Sequence, residues 1–433
     1  MVKFNKILTS LLVSSLYLVS GKPAATNNNA DLCKDLKKFL AKKNANLRYC
    51  SLDEEDPTKI GYLNFETSAL SQEVVDKVAP FISSNPFGKV EIHGLKTFSK
   101  NLSFEPLKFE RLVLGTIADD NITIPKNVLK TAKNISIFSI EGFNISQRNI
   151  NDVSALSNLT ELVFDVCTFD TNIDYTNLKN LKNLTELYFN TAFLNGQGEK
   201  KLNKFPKSIC QLKKLKVLSF YHDELTTLPS CIKNLKSLEK IDLSTNKVKS
   251  LPPEIGYLTK LKELNLNQNK LTTLPAEFGK LKSLKELDLQ SNKISTLPDE
   301  FGNLSNLKFL SLYENRIGSI PAAIGNLKNL EYLELSDNKV YRIPSSISKL
   351  TNLQHLYLNN NQIKVIPDHI RKLKNLGSLG LSNNLLTELP ESLGQLKKIN
   401  YINVAGNKID PETIPESLKN LPDLEIVFEE EEY

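Results

Sequence analysis

Leu261-Lys262-Glu263-Leu264-Asn265-Leu266-Asn267-Gln268-Asn269-Lys270-Leu271-Thr272-Thr273-Leu274-Pro275-Ala276-Glu277-Phe278-Gly279-Lys280-Leu281 is the stretch that decides the fold. Its Asn269 belongs to an arithmetic series: Asp223, Asn246, Asn269, Asn292, Asn315, Asn338, Asn361, Asn384 and Asn407, with a step of 23 residues throughout. A fixed period of this size marks a solenoid, because one unit cannot bury its apolar face alone and stacked units bury it as a continuous core. Such an array presents a surface rather than a catalytic pocket.

Within one unit, Leu264 and Leu266 stand two apart and point to one face of a short strand, while Glu263, Asn265 and Asn267 are polar. The strand is therefore half buried. Leu271, Leu274, Phe278 and Leu281 return the chain around the far side. The periodic Asn falls where the chain turns inward; its amide can bond the backbone of its own turn and, on this reading, of the next unit. A Pro follows the second apolar residue after each Asn, as at Pro229, Pro252, Pro275, Pro298, Pro321, Pro344, Pro367 and Pro390. Its fixed φ suits a chain leaving extended structure to begin a helical turn.

This frame resembles the leucine-rich repeat family, in its 23-residue subclass with Leu-Pro-x-x-[Ile/Phe/Leu]-x-x-Leu on the convex side, similar to plant intracellular Ras-group-related and Shoc-2-like repeats. The resemblance implies an α/β leucine-rich repeat solenoid, a horseshoe with a parallel concave sheet and short convex helices or 3-10 turns. It says little about activity, since the family shares an architecture. Clean repeats run from Leu212 to Leu421. Upstream the frame loosens: Leu184-x-x-Leu187-x-Phe189 carries Ala192 in the Asn position, and Leu159-x-x-Leu162-x-Phe164-x-x-Cys167 carries Cys, a family substitute. Ile135-x-x-Phe138-x-Ile140, Phe109-x-x-Leu112-x-Leu114, Val90-x-Ile92 and Leu63-x-Phe65 are weaker matches, and Leu424-x-Ile426 reads as a last strand. The expectation is about 13 to 16 repeats. The domain reading is a signal peptide at 1–21, a helical cap at 22–58, degenerate repeats at 59–205, regular repeats at 206–428 and an acidic tail at 429–433.

The signal reading rests on Lys3 and Lys6 before a mostly apolar stretch, Ile7 to Val19, and a cut near Gly21. That stretch is too short to span a bilayer comfortably, so stable membrane insertion is not expected. Secretion follows, with a cytoplasmic location as the alternative. Cys33 and Cys50 flank the amphipathic stretch Leu32 to Leu47 and are read as a disulfide across the cap. Cys167 is read as a ladder residue, and Cys210 and Cys231 as free, partly buried thiols, because they occupy different columns of adjacent convex segments. With five cysteines, at least one stays unpaired within the chain. Asn101, Asn121, Asn134 and Asn144, in the irregular part, are candidate glycosylation acceptors; Asn158, Asn183 and Asn303 also head sequons, but these arise from the repeat itself.

Net charge is +6 in a mixed surface. Lys247, Lys270, Lys293, Arg316 and Lys339 each follow a ladder Asn, which reads as a solvated rim. No aromatic-basic interleaving points to nucleic acid. His93, His222, His355 and His369 share no metal-ligand spacing, so no metal, cofactor or catalytic group is assigned. Gly196-x-Gly198 before Lys200 and Lys201 reads as a surface loop.

The period fixes which residues line the concave face. Three columns run down the stack, starting from Val217, Ser219 and Tyr221. From Asp242 to Asp288 they are polar and acidic, with Glu263 and Glu286. Beyond that they carry Phe309, Tyr313, Tyr332, His355, Tyr357 and Tyr401. At ~4.8 Å per strand those repeats cover ~19 Å of arc. Gly380 is expected to leave a notch beside Tyr357. Rigid exposed aromatics are typical interface anchors, so this patch is the expected site for a protein or peptide partner, without catalysis. A carbohydrate- or wall-associated structural role and an intracellular signalling scaffold are the alternatives.

Overall fold

The computed structural model describes residues 30–53, 59–82, 89–99, 102–105, 110–116, 124–125, 128–170, 172–190 and 204–429. The signal stretch, the Gly196 to Lys201 loop, Ala192, Asn101, Asn121, Phe109 and the last four residues lie outside them.

A single 17-stranded sheet runs the length of the molecule. Spatial order follows chain order. The strand Ala45–Leu52 pairs antiparallel with Ile60–Thr67, and every later strand pairs parallel with the one before it, down to Glu425–Val427. The weak upstream matches are all strands of this sheet, at Ile60–Thr67, Lys89–Leu95, Arg111–Thr116 and Ile137–Glu141. On the convex side the repeats from Lys207–Gln211 to Glu391–Gln395 each make a five-residue 3-10 turn, such as Ala276–Lys280, entered from a proline whose φ lies close to the ring's preferred value. Between the two layers, every leucine column is buried, and in the looser half aromatic rings replace it: Phe164, Phe189 and Phe220 stack with centroids 5.1 and 5.0 Å apart.

The ladder asparagines hold the inward turn. Asn315 donates through Nδ2 to the carbonyls of Leu289 (2.9 Å), Leu312 (3.1 Å) and Tyr313 (3.2 Å), while Oδ1 accepts from the Ile294 N–H at 3.0 Å. Asn246, Asn269, Asn292, Asn338, Asn361, Asn384 and Asn407 repeat the pattern. The inter-repeat bonds run to the preceding unit, not the following one as the sequence suggested, because the turn folds back beneath the strand before it. The residue ahead of each ladder Asn is driven into left-handed backbone, including Thr245 at φ 56° and Gln268 at φ 51°. Non-glycine residues tolerate this only where neighbours over-determine it. Cys167 takes the same place, its thiol donating to the Ile140 carbonyl at 3.3 Å. A second ladder was not anticipated: Asn306, Asn329, Asn352 and Asn375 each donate to a carbonyl of the previous convex turn, at 2.8 to 2.9 Å.

The cap differs in part from the expected helix. Ala30–Lys42 is helical, with Leu36 and Leu40 buried, but Asn44 turns at φ 55° and Leu47 lies in the antiparallel strand. That strand covers the open edge of the first parallel strand, an edge that would otherwise invite pairing with another chain. A Cys33–Cys50 disulfide, Cα atoms 5.9 Å apart, joins helix to strand.

Cys210 and Cys231 are also bonded, with Cα atoms 5.8 Å apart, so the expectation of free thiols is corrected. The reason is the tightness of the convex stack. Cys210 and Cys231 are 21 residues apart, the offset at which Gly256 meets Glu277 and Gly279 meets Glu300, where an added Cβ would collide with the facing carbonyl. Offset columns, not identical ones, face each other. Where most repeats place glycine, this pair places a covalent bond. Cys167 is the free cysteine and is buried.

Asn315→Ala strands the Ile294 N–H in the core and takes one of two donors from each of the Leu289, Leu312 and Tyr313 carbonyls, and should lower stability by about 3 kcal/mol; urea unfolding followed by far-UV circular dichroism reads this, and an unchanged midpoint would contradict the role. Replacing Cys210 and Cys231 by Ser together should cost about 3 kcal/mol through a closed loop of this length. Non-reducing peptide mapping that recovered either cysteine alkylatable in the native protein would refute the bond.

Candidate functional site

The concave face carries no helix or loop among the described residues, so the outward side chains of successive strands meet solvent side by side. Parallel register places Phe309 opposite Tyr332, Tyr332 opposite His355, and Glu334 opposite Tyr357. Phe309 and Tyr332 stack at 4.7 Å between centroids with planes 14° apart. Tyr332 lies 5.9 Å from His355 and 5.7 Å from Tyr357, and His355 and Tyr357 stack at 6.3 Å. All four are half-buried. They form one continuous platform whose rotamers are limited by each other, which keeps the entropy cost of ordering them on binding small.

Two of the six predicted residues stand apart from it. Tyr313 is exposed, in the third column. Tyr401 is separated from Tyr357 by the Ser378–Gly380 strand. Among the described residues neither makes a ring contact. The notch expected at Gly380 is not open. Its Cα is covered by the Tyr357 ring and the Asn359 amide, and a Cβ there would sit 2.8 Å from both. Glycine lets Tyr357 lie down across the neighbouring strand.

Beneath the rings sits a carboxylate that the aromatic columns did not announce. Glu334 is 8 % exposed and accepts the Ser336 N–H at 2.7 Å. Burial pushes its pKa up to about 7, outweighing the hydrogen bonding from Ser336. Burial also raises Tyr332 and Tyr357 and lowers His355, so His355 is neutral at pH 7. Asp242 and Asp288 repeat the arrangement at every second strand, each accepting a backbone N–H two residues on, from Ser244 (2.9 Å) and Gln290 (3.0 Å). Burial raises both of these acids too.

A second polar group lies on the upstream strands. Tyr62 donates to Glu91 at 2.7 Å, as does the Asn64 amide, and His93 bridges Glu91 at 3.7 Å and Glu141 at 3.5 Å. Burial alone would raise Glu91, but the neighbouring His93 and close contacts from Lys89 and Tyr62 hold it at about 2. Its signal in the sequence is the register Tyr62, Glu91 and His93 share on neighbouring strands, visible only once the loose repeats are aligned. Of the candidate glycosylation residues, Asn134 is exposed at a turn. Asn144 lies in a two-residue strand with its amide donating to Asp170 at 3.2 Å. No helix among the described residues is long and apolar enough to cross a membrane.

The chain is a leucine-rich repeat protein. A leucine-rich repeat region matches residues 194–299 and 291–376, and a leucine rich repeat model matches 351–409. No curated protein sequence matches the chain. Among solved structures, a leucine-rich repeat protein of Leptospira interrogans is similar at TM-score 0.64 and 29 % identity, over 84 % of this chain and 93 % of that one. An internalin of Listeria monocytogenes, InlF, is similar in fold at TM-score 0.59 and 23 % identity, over 92 % and 94 %. The plant peptide hormone receptor RGFR1, solved in complex with RGF2, is similar at TM-score 0.56 and 25 % identity, over 80 % of this chain and 59 % of that one. Leucine-rich repeat proteins are generally interaction modules.

Glu334 has a measurable signature. Its folded pKa of about 7 exceeds the ordinary 4.5, so the folded protein keeps a proton that the unfolded chain has released between these values. Its contribution to stability is complete below 4.5 and is lost as pH rises through 7. Glu334→Gln cannot lose that proton and still accepts the Ser336 N–H. Its stability relative to wild type should therefore climb between pH 4.5 and about pH 8, by on the order of 3 kcal/mol. Urea midpoints of the two proteins at both pH values check this; a difference independent of pH would refute it.

Proposed function

We propose that the protein is a secreted interaction module that holds a protein or peptide partner on its concave face, with no catalysis of its own. The observation that carries this is the platform of Phe309, Tyr332, His355 and Tyr357, packed ring against ring on a rigid, uncovered sheet. Large half-buried aromatics fixed in place supply contact area at low entropic cost, as interface anchors do. Tyr313 and Tyr401 flank the platform and extend the contact without belonging to it. RGFR1, the plant receptor of similar fold, is a precedent for a leucine-rich repeat array in complex with a ligand.

Export is the second half of the proposal. Two disulfides, at Cys33–Cys50 and Cys210–Cys231, favour an oxidising compartment, and the basic-then-apolar start of the chain, read as a signal at 1–21, agrees. The same compartment allows glycosylation, for which Asn134 is the accessible candidate among those described.

Tyr332→Ala with Tyr357→Ala removes the centre of the platform while leaving every leucine and ladder residue in place. Affinity capture from secreted and surface fractions should lose its partner with this double variant, with Kd rising at least about a hundredfold, the scale of two anchor residues. A partner captured equally well by both proteins would place the site elsewhere. Capture of a glycan with no protein would favour the carbohydrate-associated reading.

A further inference from the structure

The platform does not stand alone on the concave face; it sits among acids. The chain as a whole carries +6. On the five consecutive strands and turns at 240–245, 263–268, 286–291, 309–314 and 332–337 the sign is reversed: seven carboxylates face one cation, Lys240. Lys240 is committed to Glu263 at 3.0 Å. Four of the remaining acids meet neutral donors. Glu334 and Asp288 take backbone N–H groups, Glu314 takes the Ser291 hydroxyl at 2.6 Å, and Asp337 takes the Asn360 amide at 3.2 Å. Among the described residues none of these four is in an ion pair, nor is the exposed Glu286. By contrast, lysines on the rims pair across repeats, as Lys247 does with Glu224 and Lys308 with Glu331. The positive excess therefore lies on the other faces, and the uncovered face is left acidic.

Resting on the concave platform argued above, we infer that the partner is cationic: an exposed protein or peptide segment whose Arg or Lys side chains seat against Tyr332 and Tyr357 over Glu334, with further basic side chains over Glu286 and Asp337. Three features converge on that chemistry. The faces of Tyr332 and Tyr357 attract a cation by their quadrupoles, and Arg most strongly stacks on such rings. The Glu334 carboxylate between them is already desolvated, so a guanidinium arriving above it replaces solvation that folding removed instead of stripping it anew. Burial raises the pKa of Glu334 and Asp288, and a cation above them would favour the charged form. Surplus acids around the platform then steer approach and reject acidic competitors, nucleic acid among them.

The test is a random peptide library displayed on phage and selected in parallel on the immobilised protein and on its Tyr332→Ala/Tyr357→Ala variant, each checked for its circular dichroism spectrum and thermal midpoint. Peptides retained by wild type and lost by the double variant should be enriched in Arg and Lys. A synthetic copy of the strongest should bind about tenfold or more weakly to Glu286→Gln/Glu334→Gln, which keeps every aromatic ring. Its affinity should also fall as salt is raised. Peptides that depend on both tyrosines but are neutral or acidic overturn the cationic partner and leave the platform standing. A library that yields no tyrosine-dependent peptide overturns both. Unchanged affinity in Glu286→Gln/Glu334→Gln overturns the charge argument even if basic peptides are enriched.

Discussion

Buried backbone that must be hydrogen-bonded is the constraint on which this molecule rests. Each repeat turns sharply inward after its strand, and in doing so buries peptide groups that no helix or sheet can satisfy. One asparagine amide per repeat resolves this by bonding three carbonyls and one N–H, across its own turn and the one before it. The same bonds hold the preceding residue in left-handed backbone. Turn, strand register and repeat spacing are therefore coupled, and the concave face inherits its regularity from a ladder on the inside.

Close stacking follows from the same geometry on the convex side. Tight 3-10 turns bring each segment against its neighbour at an offset of 21 residues, so most repeats need glycine there. At Cys210 and Cys231 the close approach becomes a bond. With the Cys33–Cys50 link across the cap, the looser half is flanked by a covalent tie on each side. Aromatic stacking through Phe164, Phe189 and Phe220 supplies the core there.

Function lies in what the frame leaves free. Side chains between the buried leucines point outward from a rigid surface, so neighbouring strands add their chemistry in register. Phe309, Tyr332, His355 and Tyr357 become one platform this way, and Glu334 becomes a buried acid below it. The period also exposes the limits of column reading. Gly380 is expected to open a notch, but the Tyr357 ring reaches across to the neighbouring strand and covers it. Tyr401 shares a column with Phe309, Tyr332 and His355 but is separated from them by the Ser378–Gly380 strand, and Tyr313 stands in a column of its own, so neither reaches the platform rings.

The sequence by itself determined the solenoid, the orientation of every leucine, the ladder positions and the make-up of the concave columns, because these depend on a period, and a period is legible in one dimension. It also pointed to the upstream strands through weaker matches such as Leu63-x-Phe65. Only the tertiary structure decided which columns face each other across repeats. That is why the Cys210–Cys231 bond, the backward direction of the ladder, the Tyr62–Glu91–His93 group and the burial of Glu334 were hidden. Each depends on distances between chain segments 20 or more residues apart, set by curvature and packing and not by the spacing along the chain.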